Sequence, residues 1–131
     1  LNSFRGNHIT IADDAFVAMN KLIAKKEMYD IVVIDPPSFA KSKSEISLAK
    51  KKYKQLAEIG ARLTAKNGSL ILASCSSRVV ADSFFEMNKQ GLKQSNRYFI
   101  LEKKIFHDID HPVRIPEGAY LKCGYYKFVD D

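Results

Sequence analysis

Residues Ile31 to Ile34 form an unbroken apolar run that leads straight into Asp35-Pro36-Pro37, and no other feature constrains the fold as tightly. A strand apolar at consecutive positions has no solvent face, which is typical of a parallel strand covered on both sides. Parallel strands require long crossovers, usually helices. The run therefore commits its neighbours to an α/β arrangement.

The flanking sequence has that alternation. His8 to Ala12 is a short β-branched stretch that ends at the acidic pair Asp13-Asp14. Phe16, Met19, Asn20, Ile23 and Ala24 then fall near helical spacing, predicting a strand at about 8–12 and a helix at about 15–27. The apolar run gives a strand over 30–35. From about Ile46 the pattern is helical again, with Leu56, Ile59 and Leu63 on one face and Asn67-Gly68 as its stop. SLILASCS predicts a strand from Ser69 to about Cys75, and Val79 to Lys89 a helix followed by Gly91. The last two β-rich stretches, RYFILEKKIFHD and AYLKCGYYKFV, are separated by a loop with two prolines and no helical pattern, so they are expected to pair antiparallel. The expected fold is a Rossmann-like α/β sheet with right-handed crossovers, ending in an antiparallel pair.

Length and composition fit one ordinary domain: 131 residues, 46% hydrophobic and 27% charged. No run approaches the roughly 20 apolar residues of a membrane span, and LNSFRGNH has no signal-peptide character. A cytoplasmic protein without membrane contact is expected. Two distant cysteines, Cys75 and Cys123, indicate neither a disulfide framework nor a zinc ribbon. The net charge of +6 is concentrated: residues 41–54 carry six lysines against Glu45, a net +5. Such a patch fits an anionic partner such as nucleic acid, or else a solvated helix face.

In an open α/β sheet, ligands bind beyond the carboxyl ends of the parallel strands. Those ends are Asp13-Asp14, Asp35-Pro36-Pro37 and Ser74-Cys75-Ser76. Each has a plain structural explanation as cap, turn or packing. Together they would face one crevice, with Asp35 held in a corner whose two prolines have fixed φ. His107, Asp108, Asp110 and His111 have zinc-like spacing only if helical; they fall at a strand end and loop, so no metal is expected.

DPPSFAKSK, SCSS at the next strand end and DHP followed by YLK together resemble the S-adenosylmethionine-dependent RNA cytosine-5 methyltransferases of large-subunit ribosomal RNA. The resemblance runs from about Phe4 to Phe128. It implies a class I methyltransferase sheet, S-adenosylmethionine as cofactor and rRNA as partner. Asp14 matches the acid that bonds the adenine amino group, with Asp13 as the second candidate and the Ala15 amide beside it. Asp35 and Pro36 match the corner between methyl donor and target base. Pro37, Phe39 and His111 are the residues it places about the target base, with His111 in a loop over it, while Lys41 and Lys43 of the basic patch would hold RNA phosphates. Cys75 matches the nucleophile, with Asp35 as the acid near ring nitrogen 3. A nucleophilic thiolate would be favoured by the helix start after Ser76 and by Arg78.

The chain departs from the pattern in having no G-x-G among its six glycines and in starting with Leu1. It is therefore expected to be the C-terminal portion of one methyltransferase catalytic domain, its sheet lacking the first strands and glycine-rich loop. The 8–12 strand would then be displaced or unpaired, cofactor binding by the piece alone weak, and the exposed sheet edge open to homodimerisation. Two alternatives stand beside this reading: methylation of an exocyclic amine, for which Ser38 between Pro37 and Phe39 is a poor fit, and a non-catalytic RNA-binding module.

Overall fold

The apolar run does form a strand, β1 (Tyr29–Ile34), but at the edge of its sheet rather than inside it. The computed structural model describes Ser3, residues 5–110 and residues 112–129. Four strands lie in the order β1-β2-β4-β3, with β2 at Thr64–Ser74, β3 at Phe99–Ile105 and β4 at Lys122–Phe128. β1 and β2 are parallel, with Ile34 opposite Leu72. β4 is antiparallel to both β2 and β3, as expected for the last two stretches, and lies between them.

Helix α1 (Ala15–Ala24) precedes β1, and two helices connect the strands, α2 (Ile46–Leu63) between β1 and β2 and α3 (Ala81–Gln94) between β2 and β3. The core lies between α2, α3 and one sheet face, where Tyr53, Leu56, Phe84 and Leu92 meet Ile34, Leu70, Tyr126 and Phe128. On β2 and β4 alternate residues point into this core, as the two-residue period of a strand requires. The other face is less covered: Ile31 and Val33 are 66% and 61% exposed. Full burial of β1 would need a second strand beside it and a layer over that face. Among the described residues neither is present.

The predicted strand at 8–12 does not form, and Ile9 is 82% exposed. An extended segment gains its ladder hydrogen bonds only from a neighbouring strand, and this one pairs with none among the described residues. Asp14 starts α1 as a cap, its Oδ1 accepting from the Val17 amide at 3.1 Å. Asn67-Gly68 does not stop α2, which already ends at Leu63. Instead Asn67 adopts a left-handed φ of 57° inside β2, and Gly68 lies where a Cβ would come within 2.9 Å of the Asp30 carbonyl.

Gly91 likewise lies within α3 rather than after it. There α3 runs so close to α2 that a Cβ would be 2.1 Å from the Lys54 carbonyl oxygen. Arg97 ties the far end of this layer together. Its guanidinium donates to the carbonyls of Ala61, Thr64 and Ala65 and sits 4.1 Å over the Phe128 ring. No helix among the described residues is long and apolar enough to cross a membrane.

Candidate active site

Because β1 and β2 are parallel neighbours in register, their carboxyl ends emerge side by side. The Cys75 thiol donates to the Pro36 carbonyl at 4.0 Å, across 39 positions of sequence. Cys75 is half-buried and Asp35 exposed, so both are open to a ligand in the crevice. Asp35 also acts on the surrounding groups: burial pushes the Tyr53 hydroxyl and the Cys123 thiol up, and the negative charge of Asp35 adds to both shifts.

The turn carrying Cys75 is supported from beneath. Ser74 Oγ donates to Tyr53 Oη at 2.8 Å and accepts from the Ser76 amide at 3.2 Å. Tyr53 and Ser74 are both buried, so this bonded pair fixes the strand end against α2. Ser76 Oγ is buried with no partner among the described residues.

The segment after Pro37 is held at two points. Glu45 Oε2 accepts from the amides of Lys41 and Ser42 at 2.7 and 2.9 Å. Arg78 Nε donates to the Lys41 carbonyl at 3.2 Å. The two backbone amides hold the Glu45 carboxyl below the usual carboxylate value. A depressed acid stabilises above its unfolded value and loses that contribution as pH falls through its folded value. The amide resonances of Lys41 and Ser42 are accordingly expected to titrate together on acidification, with a midpoint below that of an ordinary glutamate. In Glu45→Gln this titration should vanish; independent behaviour of the two amides in the parent protein would contradict the arrangement.

Phe39 packs edge-on against Tyr53, with ring centroids 5.2 Å apart, and has Lys52 Nζ 4.9 Å from its own centroid. A cavity of about 410 Å³ opens beside this ring. Its lining joins Asp14, Ala15, Asp35, Pro36, Pro37 and Phe39, with apolar walls from Phe16, Met19 and Leu56. Six of the residues singled out in the sequence thus share one cavity. Asp13 is not among them; its Oδ2 pairs with Lys21 Nζ at 2.8 Å and its Oδ1 accepts from the Asp14 amide. Lys41 and Lys43 are exposed on the segment that leads away from the cavity. His111 lies outside the described residues.

Arg78, expected near the thiol, is engaged by the Lys41 carbonyl instead. The cation electrostatically coupled to Cys75 is Lys122, at the start of β4 and only 2% exposed. Its Nζ donates to the carbonyls of Ser76 and Tyr120. The sequence reading missed it because a lysine in a strand is ordinarily assigned to solvent. The signal was nonetheless there: in KCGYYKF, Lys122 shares the two-residue phase of Tyr126 and Phe128, which are buried.

The sheet order, the helices on one face and the crevice at the carboxyl ends define a methyltransferase-type Rossmann-like fold, here with four strands. The crystal structure of SMU.776, assigned as a methyltransferase and solved in complex with SAH, superposes with a TM-score of 0.73 at 25% identity, over 88% of this chain and 30% of that one. In sequence, the chain is 34% identical over 118 residues to a ribosomal RNA large subunit methyltransferase of Deinococcus radiodurans, and 29% identical over 125 residues to ribosomal RNA large subunit methyltransferase I of Shewanella amazonensis. These alignments cover 90% and 93% of this chain but 29% and 32% of the relatives, so the chain spans under a third of their length. No family model matches.

Proposed function

We propose that this chain is the C-terminal portion of the catalytic domain of an S-adenosylmethionine-dependent methyltransferase, and that it methylates carbon 5 of a cytosine in large-subunit ribosomal RNA through a covalent adduct at Cys75. The observation that carries the reading is the Cys75 to Pro36 contact, which joins a solvent-reachable thiol to the acidic proline corner. The similarity to rRNA large subunit methyltransferases supports the substrate class. RNA incorporating 5-fluorocytosine tests the chemistry on the full-length protein. A Cys75-dependent covalent complex is the expected result; salt-sensitive binding without an adduct would point to the RNA-binding module instead.

The donor set of the cavity fits the cofactor's adenine. Asp14 uses Oδ1 as a cap and leaves Oδ2 as an acceptor for an amino group. The first-turn amides of Ala15 and Phe16 have no acceptor within the helix and suit a ring nitrogen. Phe16, Met19 and Leu56 supply the apolar walls that a planar ring requires.

When bound, S-adenosylmethionine supplies an electrophilic methyl group. The chain's own residues make the acceptor reactive. Addition of the Cys75 thiolate to carbon 6 gives carbon 5 enamine character, and loss of the carbon 5 proton with expulsion of the thiolate from carbon 6 restores the methylated base; Asp35, as the acid near ring nitrogen 3, assists the addition. Pro36 and Pro37 hold Asp35 with little freedom. Lys41, Lys43 and the lysines of α2 bind phosphates without reading sequence, so affinity falls steeply with salt. The target base must leave its stack to reach the sulfur.

Asp14→Asn separates the two duties of Asp14. Asparagine caps a helix as well as aspartate does, but its single oxygen would be committed to the Val17 amide, turning an NH₂ toward the adenine amino group. Cofactor affinity of the full-length protein by calorimetry is expected to fall by roughly tenfold, the value of one charged hydrogen bond, while stability changes by less than about 0.5 kcal/mol. Unchanged affinity would remove Asp14 from the site.

A further inference from the structure

The least expected group in the core is the Lys122 ammonium. It is 2% exposed, and among the described residues no carboxylate forms an ion pair with it. Two of its N–H groups are donated to the Ser76 and Tyr120 carbonyls, which flank the Cys75 turn and the start of β4. Carbonyls satisfy hydrogen bonds but leave the charge uncompensated, and an uncompensated buried cation is costly. The group that acts on it with negative charge is Cys75, one residue before the carbonyl that Lys122 holds.

We infer that Lys122 is the counter-ion of Cys75, a positioning residue whose buried ammonium lets the thiol stand as a thiolate before it attacks. This rests on the reading of Cys75 as nucleophile. In the step concerned the Sγ–H bond breaks, the electron pair stays on sulfur and the proton passes to solvent; Lys122 keeps its three protons throughout. The two carbonyls aim the ammonium while offering no competing anion. Burial pushes the Lys122 amine down to about 8 and a charged Cys75 pushes it back up.

Other titratable groups surround the pair. Tyr53 on α2 is coupled to both Cys75 and Asp35, and Cys123 on β4 is coupled to Asp35. His107, after β3, accepts from the Leu121 amide next to Lys122 at 3.1 Å. None of these supplies a positive charge to the thiol in the way that Lys122 does.

The test follows alkylation of Cys75 by iodoacetamide in the full-length protein from pH 6 to 10.5, with Cys123→Ser as background. Lys122→Met is expected to slow alkylation at pH 7 by roughly tenfold, the effect of one unit in thiol ionisation. The deficit should close above about pH 10, where either thiol is ionised. Lys122→Arg, which keeps the charge, should stay within about threefold of the parent. A deficit of constant size at every pH would mean that the lysine only shapes access, and would overturn the proposal.

The reciprocal measurement does not depend on the methionine variant folding. Titration of the Lys122 side chain by NMR should move to lower pH in Cys75→Ala, and an unmoved titration would equally overturn the pairing. Both readouts are free of RNA. Failure to trap fluorocytosine would count against the nucleophile and leave the pair itself standing.

Discussion

Replacement of Cys75 with alanine is expected to abolish the covalent RNA complex and to lower methyl transfer by roughly 10⁴-fold or more, as removal of a covalent nucleophile does in other enzymes. The reason lies in the acceptor. Carbon 5 of cytosine has little nucleophilicity until carbon 6 carries a substituent that pushes electrons into the ring, and Cys75 is the thiol in contact with the proline corner. Cys123 belongs to the interior of β4, opposite Ala73 and Ile105. Cys75→Ala should leave RNA affinity and cofactor affinity nearly unchanged, because the lysine segment and the Asp14 cavity are built from other residues. Single-turnover assays with radiolabelled cofactor read the first quantity and filter binding the second. Substantial methylation surviving in Cys75→Ala would favour direct transfer to an exocyclic amine, a reaction that Asp35 and its prolines could serve without a thiol.

The largest effect on stability is expected at Gly91. A methyl group there would be placed 2.1 Å from the Lys54 carbonyl oxygen and 2.9 Å from Ala57 Cβ. The obstacle is helix backbone, which no rotamer change can move, so α3 would have to back away from α2 along much of its length. Two of the side chains that α3 itself places in that layer, Phe84 and Leu92, are completely buried. Gly91→Ala should therefore cost about 3 kcal/mol, the upper part of the range for overpacked cores, despite alanine's better helix propensity. Gly118 provides the control, since a Cβ there would meet nothing closer than 3.8 Å. Gly118→Ala should change stability by less than about 0.5 kcal/mol. Denaturant unfolding of the two variants separates the predictions, and equal stability would mean that the helices are not packed this closely.

Gly91 also marks a limit of reading the chain from its letters. A glycine near the end of a helical pattern looks the same whether it ends the helix or lets a second helix approach; only the position of α2 decides. Legibility elsewhere followed the range of the interactions. The strands at 29–34 and 122–128 and the three helices were legible because each depends on an apolar run or periodicity internal to its own segment. The strand expected at 8–12 was not, because strand formation depends on a partner that local sequence does not describe.

The site divides along the same line. Asp14, Asp35, Pro36, Pro37 and Phe39 were recognisable as corner residues and do share one cavity. Asp13 carried the same local signal as Asp14, and its diversion to Lys21 depends on a side chain eight positions on. Arg78 was named as the cation near the thiol because it is three residues away in sequence; in space it donates to Lys41, while the buried cation on which Cys75 acts, Lys122, is 47 positions away and was not considered.

The hydrogen bond from Arg78 to the Lys41 carbonyl has a mechanical consequence. It tethers the stretch that would grip phosphates to the turn bearing the sulfur, with only two residues between Cys75 and the arginine. A displacement of that stretch is therefore passed to the turn that carries Cys75 through one side-chain contact. Under the proposed function, phosphate contact and the placement of the sulfur would be mechanically linked.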